Sequence, residues 1–400
     1  MLQTIQKALY TKRNLAVEAV SLLGEVITNN IVGRFKTLKP TVLQVNVNLR
    51  CNAKCGTCNI WQTENPTEMS LDRLKQVFGD PLFRTIEYTI VAGGEPTLRR
   101  DLPDLVGLML DTMPKLRKVS IPTTGLATDR CVSMFSAIAR ACAQRNVTFA
   151  VGLSLDGIGE VFARTRGIPG GDKKVINTLV ALKKLNQEID FRIGIGPTIS
   201  ALNVYDVYNL VEVGKKYEVD MGFQIAALSE TYFNNADLKD NITFTPEALA
   251  FLRKFLNEQI AQLPLVSESP FYYEKALEML DGARRSIPCP YQDQGLVMDP
   301  TGDVYYCTNS RSIGNLNERT ASEIYYDPKN LEFRRRVKEE TCPKCQISCF
   351  VGVGLRKTLF PFMGFLFKQG LRRLTGRATP VHVLPESQAR GSTSRPPVGT

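Results

Sequence analysis

The feature that most limits how this chain can fold is a repeated order of strand-like and helix-like segments before residue 239. Six segments have the apolar pattern of strands, at 43–47, 86–91, 117–121, 147–155, 191–196 and 221–226. Helix-like patterns lie between them, such as Leu71, Leu74, Val77 and Phe78. Strands that alternate with helices form a parallel sheet with helices outside. Six such units predict an α/β fold built on a partial (β/α)6 barrel of the TIM type, because a closed barrel needs eight.

The cysteine content predicts metal sites. The chain has ten cysteines and one histidine, His382, which lies near its end. This excludes Ser-His-Asp catalysis and histidine-ligated zinc from the folded body. No secretory signal or apolar run of membrane-spanning length is recognisable, so we expect a cytoplasmic protein with reduced thiols. Cys131 and Cys142 lie in a helical pattern and are expected to be buried structural thiols.

Three further cysteines form a compact group directly after the first predicted strand. Cys51, Cys55 and Cys58 have the spacing Cys-x3-Cys-x2-Cys. Three thiolates can hold three irons of a 4Fe–4S cluster and leave the fourth iron open. Zinc is the competing interpretation, but structural zinc uses four ligands. A third reading, three small buried residues, does not explain a loop position between polar neighbours.

Short motifs follow the next predicted strands in order: Gly93-Gly94-Glu95-Pro96, Thr123-Thr124-Gly125, Ser154-Leu155-Asp156-Gly157 and Arg166-Gly167. Together with the three cysteines, they resemble the radical S-adenosylmethionine (SAM) superfamily. In that family the open iron chelates SAM, and an electron from the cluster cleaves SAM to a 5′-deoxyadenosyl radical. The resemblance implies that Cys51, Cys55 and Cys58 hold the cluster, and that the SAM contacts are Gly93, Gly94, Glu95, Thr124, Ser154 and Arg166.

Two positions depart from the pattern of this family. Thr57 stands where relatives often have an aromatic residue against the adenine, and Phe162-Ala163 replaces a common His-Asp pair. Adenine packing must then come from another residue. Trp61 is the candidate, with a place in the core as the alternative.

A second cysteine group lies between residues 287 and 350. Cys289 and Cys307 flank a hairpin pattern with a Pro-Thr-Gly-Asp turn, and Cys342 and Cys345 form a Cys-x2-Cys pair. The group resembles the auxiliary-cluster domain of the SPASM/Twitch subfamily, in the shorter form with one 4Fe–4S cluster. The resemblance implies four ligands, Cys289, Cys307, Cys342 and Cys345. Cys349 is then a spare or alternate ligand, and a zinc knuckle is the other interpretation.

Charge and composition divide the chain into six segments. The net charge is +10, and the two ends supply it, because residues 1–40 carry +4 and residues 350–400 carry +7. Residues 41–349 are therefore nearly neutral. They offer no basic face that could bind nucleic acid. Residues 351–377 combine phenylalanines with Lys and Arg, which suits either a membrane-surface helix or a helix that covers the core. The segments are a basic helix (1–40), the barrel (41–239), a helical connector (240–286), the auxiliary domain (287–350), the basic apolar helix (351–377) and a disordered tail (378–400).

The function implied by the resemblance is radical chemistry on an organic substrate. We expect oxidation or dehydrogenation of a small molecule, such as a sugar or lipid-linked compound, with the auxiliary cluster as electron acceptor and a flavodoxin or ferredoxin as electron donor. One alternative is a peptide maturase. Another is a non-enzymatic iron–sulfur carrier or zinc scaffold, although a carrier has no need for the SAM-binding set. The sequence does not identify a catalytic acid or base.

Overall fold

The computed structural model describes residues 32–64, 66–265, 267–287, 289–348, 351–355 and 359–375, together with Gly24 and Thr28. Most of the predicted basic helix, Cys349 and the predicted tail therefore fall outside the described residues.

The described strands are β1 (Val42–Asn46), β2 (Tyr88–Ala92), β3 (Lys118–Thr123), β4 (Thr148–Leu153), β5 (Arg192–Ile195), β6 (Thr198–Ile199), β7 (Asp220–Met221), β8 (Gln224–Ile225), β9 (Gly295–Met298), β10 (Asp303–Tyr305) and β11 (Gly314–Asn315). They form one open sheet in the order β11-β10-β9-β1-β2-β3-β4-β5-β7, with β6 and β8 paired separately. All neighbours from β9 through β1 to β7 run parallel.

The partial barrel predicted from the sequence is confirmed, and each of its six strands occurs within a few residues of the expected position. The fifth strand is interrupted at Pro197, which has no N–H for the ladder, and resumes as β6. The sixth is interrupted in the same way between β7 and β8, which pairs with β6.

Helices connect the strands and bury their apolar sides against the sheet. The first begins at Ser70, whose side chain accepts a hydrogen bond from Arg73 N, and it buries Leu74, Val77 and Phe78. The α-helices are Leu71–Phe78, Leu102–Thr112, Thr128–Gln144, Glu160–Arg166, Gly171–Asn186, Val207–Lys216, Lys239–Ile242, Pro246–Gln262, Glu268–Leu280, Tyr291–Gln294, Ala321–Tyr325, Pro328–Arg336, Val351–Leu355 and Leu359–Leu374.

The second cysteine region joins the barrel directly. Strand β9 pairs in parallel with β1, with Val42 opposite Gly295 and Val45 opposite Met298. Strand β10 turns back along β9, as the hairpin pattern predicts, and Gly302 in the turn has a φ of 96°. The cysteines at 289 and 307 are therefore fixed relative to the first barrel strand.

The last described helix packs on the helical connector. The Phe362 and Phe365 rings lie 5.6 and 5.5 Å from the Phe271 ring, edge to face. Within the described ranges, no helix is long and apolar enough to cross a membrane.

Candidate functional site

A cavity of about 230 Å³ opens where the parallel strands end. The carboxyl ends of β1 to β4 meet at this edge, and the motifs that follow them line it. The cavity is lined by all nine residues predicted for the SAM cluster and for SAM: Cys51, Cys55, Cys58, Gly93, Gly94, Glu95, Thr124, Ser154 and Arg166.

The cysteine loop is held by backbone and asparagine hydrogen bonds. Lys54 N donates to Arg166 O at 2.9 Å, and Gly56 N donates to Thr165 O at 2.9 Å. From the other side, the Asn241 side chain donates to Gly56 O at 2.7 Å. Gly167 has a φ of 68°, and a Cβ there would lie 2.5 Å from Lys54 O. The glycine that follows Arg166 therefore allows the helix end to approach the cysteine loop.

The three thiols of this loop suit an iron cluster. Burial raises the pKa of Cys51 to about 11 and that of Cys58 to about 12. Both thiols are therefore protonated at neutral pH without metal, and iron binding would displace the protons. Among the described residues that line the cavity, the only cysteines are these three, which fits a cluster with one iron left open.

The two glycines after β2 permit a close contact with the chain after β1. Gly93 has a φ of 137°, and a Cβ there would lie 2.3 Å from Asn48 O. At Gly94 a Cβ would lie 2.1 Å from Arg50 O. Gly94 N donates to Asn48 O at 3.0 Å. Larger residues would push the loop away and displace its peptide groups from the cavity wall.

Glu95 connects this loop to the end of β3. Its side chain is fully buried. Its Oε1 accepts hydrogen bonds from the hydroxyls of Thr97 (2.6 Å) and Thr123 (2.7 Å), and Oε2 accepts one from Thr124 N (2.6 Å). The Thr124 hydroxyl in turn donates to the Asn52 side chain at 2.9 Å. These bonds link three strand ends around the cavity.

Arg166 forms an ion pair inside the cavity wall. Its Nε lies 2.6 Å from Asp156 Oδ2, and its Nη1 donates to Cys55 Sγ at 3.5 Å. Burial alone would lower the pKa of Arg166, but Asp156 and Cys55 outweigh that effect and the pKa is raised. Asp156 also accepts a hydrogen bond from Thr198 N at 2.8 Å. The family resemblance implies a contact of Arg166 with SAM, and the structure shows that its Nε and Nη1 face protein groups.

Three aromatic residues line the cavity beside the predicted cluster and SAM contacts. Trp61, the candidate for adenine packing, lines the cavity, and Lys54 Nζ lies 5.7 Å from its ring. Tyr232 and Phe233 also line it, with ring centroids 4.9 Å apart. These two aromatics belong to the segment after β8, where no motif marks them.

The second cysteine group surrounds its own cavity. Cys289, Cys307, Cys342 and Cys345 all line this one cavity. Burial raises the pKa of Cys307 to about 12 and raises that of Cys342. The predicted set of four ligands is thus brought together, with a donor chemistry that fits a fully ligated 4Fe–4S cluster. Cys131 and Cys142 are buried elsewhere, as expected.

Three basic side chains line this auxiliary cavity: Arg285, Arg334 and Lys338. Arg285 Nη1 donates to the carbonyls of Cys345 (2.9 Å) and Ile347 (2.8 Å). Arg285 Nη2 is buried and has no hydrogen-bond partner among the described residues. The Arg334 guanidinium lies 4.4 Å from the Tyr306 ring centroid and donates to the Tyr325 hydroxyl at 2.7 Å.

The two cavities share one lining residue. Ile347 lines both the cavity at the strand ends and the auxiliary cavity, and Ser348 lines the first. The chain that follows Cys345 therefore borders both cavities.

Comparisons with known proteins agree with this arrangement. The radical SAM superfamily model matches residues 45–211, and the SPASM model, an iron–sulfur cluster-binding domain, matches residues 289–349. Fe-coproporphyrin III synthase of Methanosarcina barkeri is 31% identical over 321 residues, which cover 73% of this chain and 75% of that protein. GTP 3′,8-cyclase of a Synechocystis strain is 22% identical over 186 residues, 45% of this chain and 52% of the cyclase.

Solved structures share the fold. The structure of anSMEcpe with bound AdoMet has a TM-score of 0.55 and 19% identity, and covers 86% of this chain and 100% of its own. SuiB of Streptococcus suis bound to S-adenosylmethionine has a TM-score of 0.53 and 16% identity, and covers 86% of this chain and 79% of its own.

Proposed function

Because the chain belongs to the radical SAM superfamily and carries a SPASM-type domain, we propose that it oxidises its substrate by removing a hydrogen atom and then an electron and a proton. The chain is a radical SAM enzyme, and its cofactors are SAM, the 4Fe–4S cluster that binds SAM and an auxiliary 4Fe–4S cluster. Oxidation is the part that we propose.

Two sets of residues in this chain form two cofactor sites. Cys51, Cys55 and Cys58 hold the SAM cluster, and Cys289, Cys307, Cys342 and Cys345 hold the auxiliary cluster. We assign SAM binding to the peptide groups of Gly93, Gly94 and Glu95, with Thr124, Ser154 and Arg166 around the rest of the cofactor. When bound, SAM and its cluster supply a 5′-deoxyadenosyl radical that takes a hydrogen atom from the substrate and becomes 5′-deoxyadenosine.

The observation that carries the proposal is that Ile347 lines both cavities. A substrate radical in the first cavity would lie next to a segment that also borders the proposed auxiliary cluster. Loss of one electron to that cluster and one proton to solvent completes a two-electron oxidation. The cationic lining supports the direction of transfer, because Arg285 and Arg334 favour the more negative, reduced cluster, whereas the charge of Lys338 is paired with Asp293.

We propose a small organic molecule rather than a peptide as the substrate, in line with the sugar or lipid-linked class expected from the sequence. A tetrapyrrole is a second candidate, favoured by the 31% identity to Fe-coproporphyrin III synthase. The solved structures with bound peptide are below 20% identical to this chain. Their similarity shows a shared fold and is no argument for a peptide substrate.

The test is anaerobic incubation of the reconstituted enzyme with SAM, a reductant and cell extract. We expect one compound to be consumed as 5′-deoxyadenosine accumulates, with a product that is two hydrogens lighter. Cys342→Ala should still form 5′-deoxyadenosine but lose the oxidised product, and Cys131→Ala, a buried thiol outside both sites, should behave as wild type. Full product formation by Cys342→Ala would contradict the role of the auxiliary cluster, and a product with unchanged hydrogen content would contradict oxidation.

A further inference from the structure

We propose that the outward face of the helix Leu359–Leu374 docks on an anionic lipid bilayer. Four apolar side chains on this helix are exposed: Met363 (55%), Phe367 (72%), Leu371 (47%) and Leu374 (85%). They are spaced by four, four and three residues, so they lie on one side of the helix. We call these four residues the apolar stripe. The proposal is independent of the reaction assigned to the enzyme.

The apolar stripe is a different side of the helix from the one that packs on the protein. The opposite side of the helix is already bound to the protein, through Phe365 against Phe271. Gln369 Nε2 donates to Glu274 Oε2 at 2.6 Å, and Arg373 Nη2 donates to Ile260 O at 3.0 Å. The helix is therefore fixed on the connector and presents the stripe outward.

Basic residues accompany the stripe along the helix. Residues 351–377 contain six Lys or Arg and no Asp or Glu. Lys368 and Arg372 each directly follow a stripe residue and are exposed, and Lys368 Nζ also lies 3.2 Å from Glu274 Oε1 on the connector. Apolar side chains with a basic border are the arrangement by which interfacial helices insert between lipid tails and attract anionic headgroups.

The charge favours a bilayer over a second copy of the chain as the occupant. A second copy seated on the same face would bring its own basic segment against this one, with no acidic residue in either segment to pair with it. The helix has 16 residues, about 24 Å in length, and all four stripe residues can contact one flat surface together. An anionic bilayer satisfies both the stripe and the charges.

The experiment is cosedimentation of the full-length reconstituted enzyme with vesicles. We expect binding to phosphatidylcholine vesicles that contain phosphatidylglycerol, little binding to pure phosphatidylcholine, and weaker binding as salt rises. Phe367→Ser combined with Leu371→Ser should weaken binding about tenfold or more. Its matched control is Val180→Ser, which changes a residue that is 50% exposed on another helix.

A second pair of variants tests the charge. Arg372→Glu should reduce binding to the anionic vesicles, whereas Arg140→Glu, an exposed cation on the helix Thr128–Gln144, should have little effect. The proposal is overturned if wild type does not bind the anionic vesicles, or if the stripe variant binds as wild type does. It is also overturned if the enzyme forms a dimer that the stripe variant disperses, because the stripe is then an interface between copies.

Discussion

Arg166 Nε lies 2.6 Å from Asp156 Oδ2, and this ion pair joins the end of a helix to the segment after β4 in the cavity wall. Both side chains are largely buried, with 14% and 4% of their areas exposed. The same arginine approaches Cys55 through Nη1. Asp156 therefore orients a cation that contacts a proposed cluster ligand.

Asp156→Asn should weaken both the fold and SAM binding. Removing one partner of a buried pair leaves the other charge uncompensated, so we expect the free energy of unfolding to fall by about 3 kcal/mol. Denaturant titration of the full chain and equilibrium dialysis with SAM measure the two effects. As a control, Asp111→Asn breaks the exposed pair with Arg145 and should cost less than about 1 kcal/mol. Unchanged stability and unchanged SAM affinity in Asp156→Asn would contradict the orienting role.

Glu95→Gln separates a structural role of Glu95 from direct contact with SAM. The backbone N–H of Thr97 donates to Oε1 and that of Thr124 to Oε2, and one amide side chain cannot accept at both positions. We expect a loss of about 1–3 kcal/mol of unfolding free energy, because one buried donor is left unpaired. Glu188→Gln, on an exposed residue, is the control and should be neutral. Wild-type stability with weakened SAM binding would instead indicate that the carboxylate touches the cofactor.

The motifs line one cavity because they follow consecutive parallel strands. The carboxyl ends of such strands meet at one edge, so Cys51, Gly93, Thr124 and Ser154 are brought together by strand order alone. The glycines reinforce the prediction, since Gly93 and Gly94 leave no room for a side chain.

Contacts between distant segments could not be predicted in this way. Pairing of β9 with β1 joins residues about 250 positions apart, and nothing local in Gly295–Met298 specifies its partner strand. Asp156 lies in a recognised motif, but its pairing with Arg166 depends on how the helix Glu160–Arg166 is placed. Arg285 and Ile347 have no motif, and their positions follow from packing of the auxiliary domain on the barrel.

Iron content tests the two proposed ligand sets. Reconstituted wild type should hold about eight irons, two clusters of four. The triple variant Cys51→Ala, Cys55→Ala and Cys58→Ala should hold about four and lose SAM cleavage, because the SAM-binding cluster cannot form. Cys131→Ala should keep the full content. Continued SAM cleavage by the triple variant would show that the cluster is bound elsewhere.

The reduction potential of the auxiliary cluster tests Arg285. Its Nη1 fixes the chain after Cys345, and its buried Nη2 has no partner among the described residues while the side chain lines the cluster cavity. A positive charge and an N–H aimed at a cluster both stabilise its reduced form. Arg285→Met should therefore lower the midpoint potential by tens of millivolts, where about 59 mV corresponds to a tenfold change for one electron.

Electron paramagnetic resonance during a redox titration measures this potential, and iron analysis shows whether the cluster is still bound. Arg285→Lys retains the charge and should shift the potential less than Arg285→Met does. Arg335→Met is the matched control, because Arg335 is exposed and already paired with Glu332 and Glu339. If Arg285→Met keeps its iron and the wild-type potential, Arg285 only fixes the loop. If Arg335→Met lowers the potential equally, the effect is one of overall charge and does not depend on contact with the cluster.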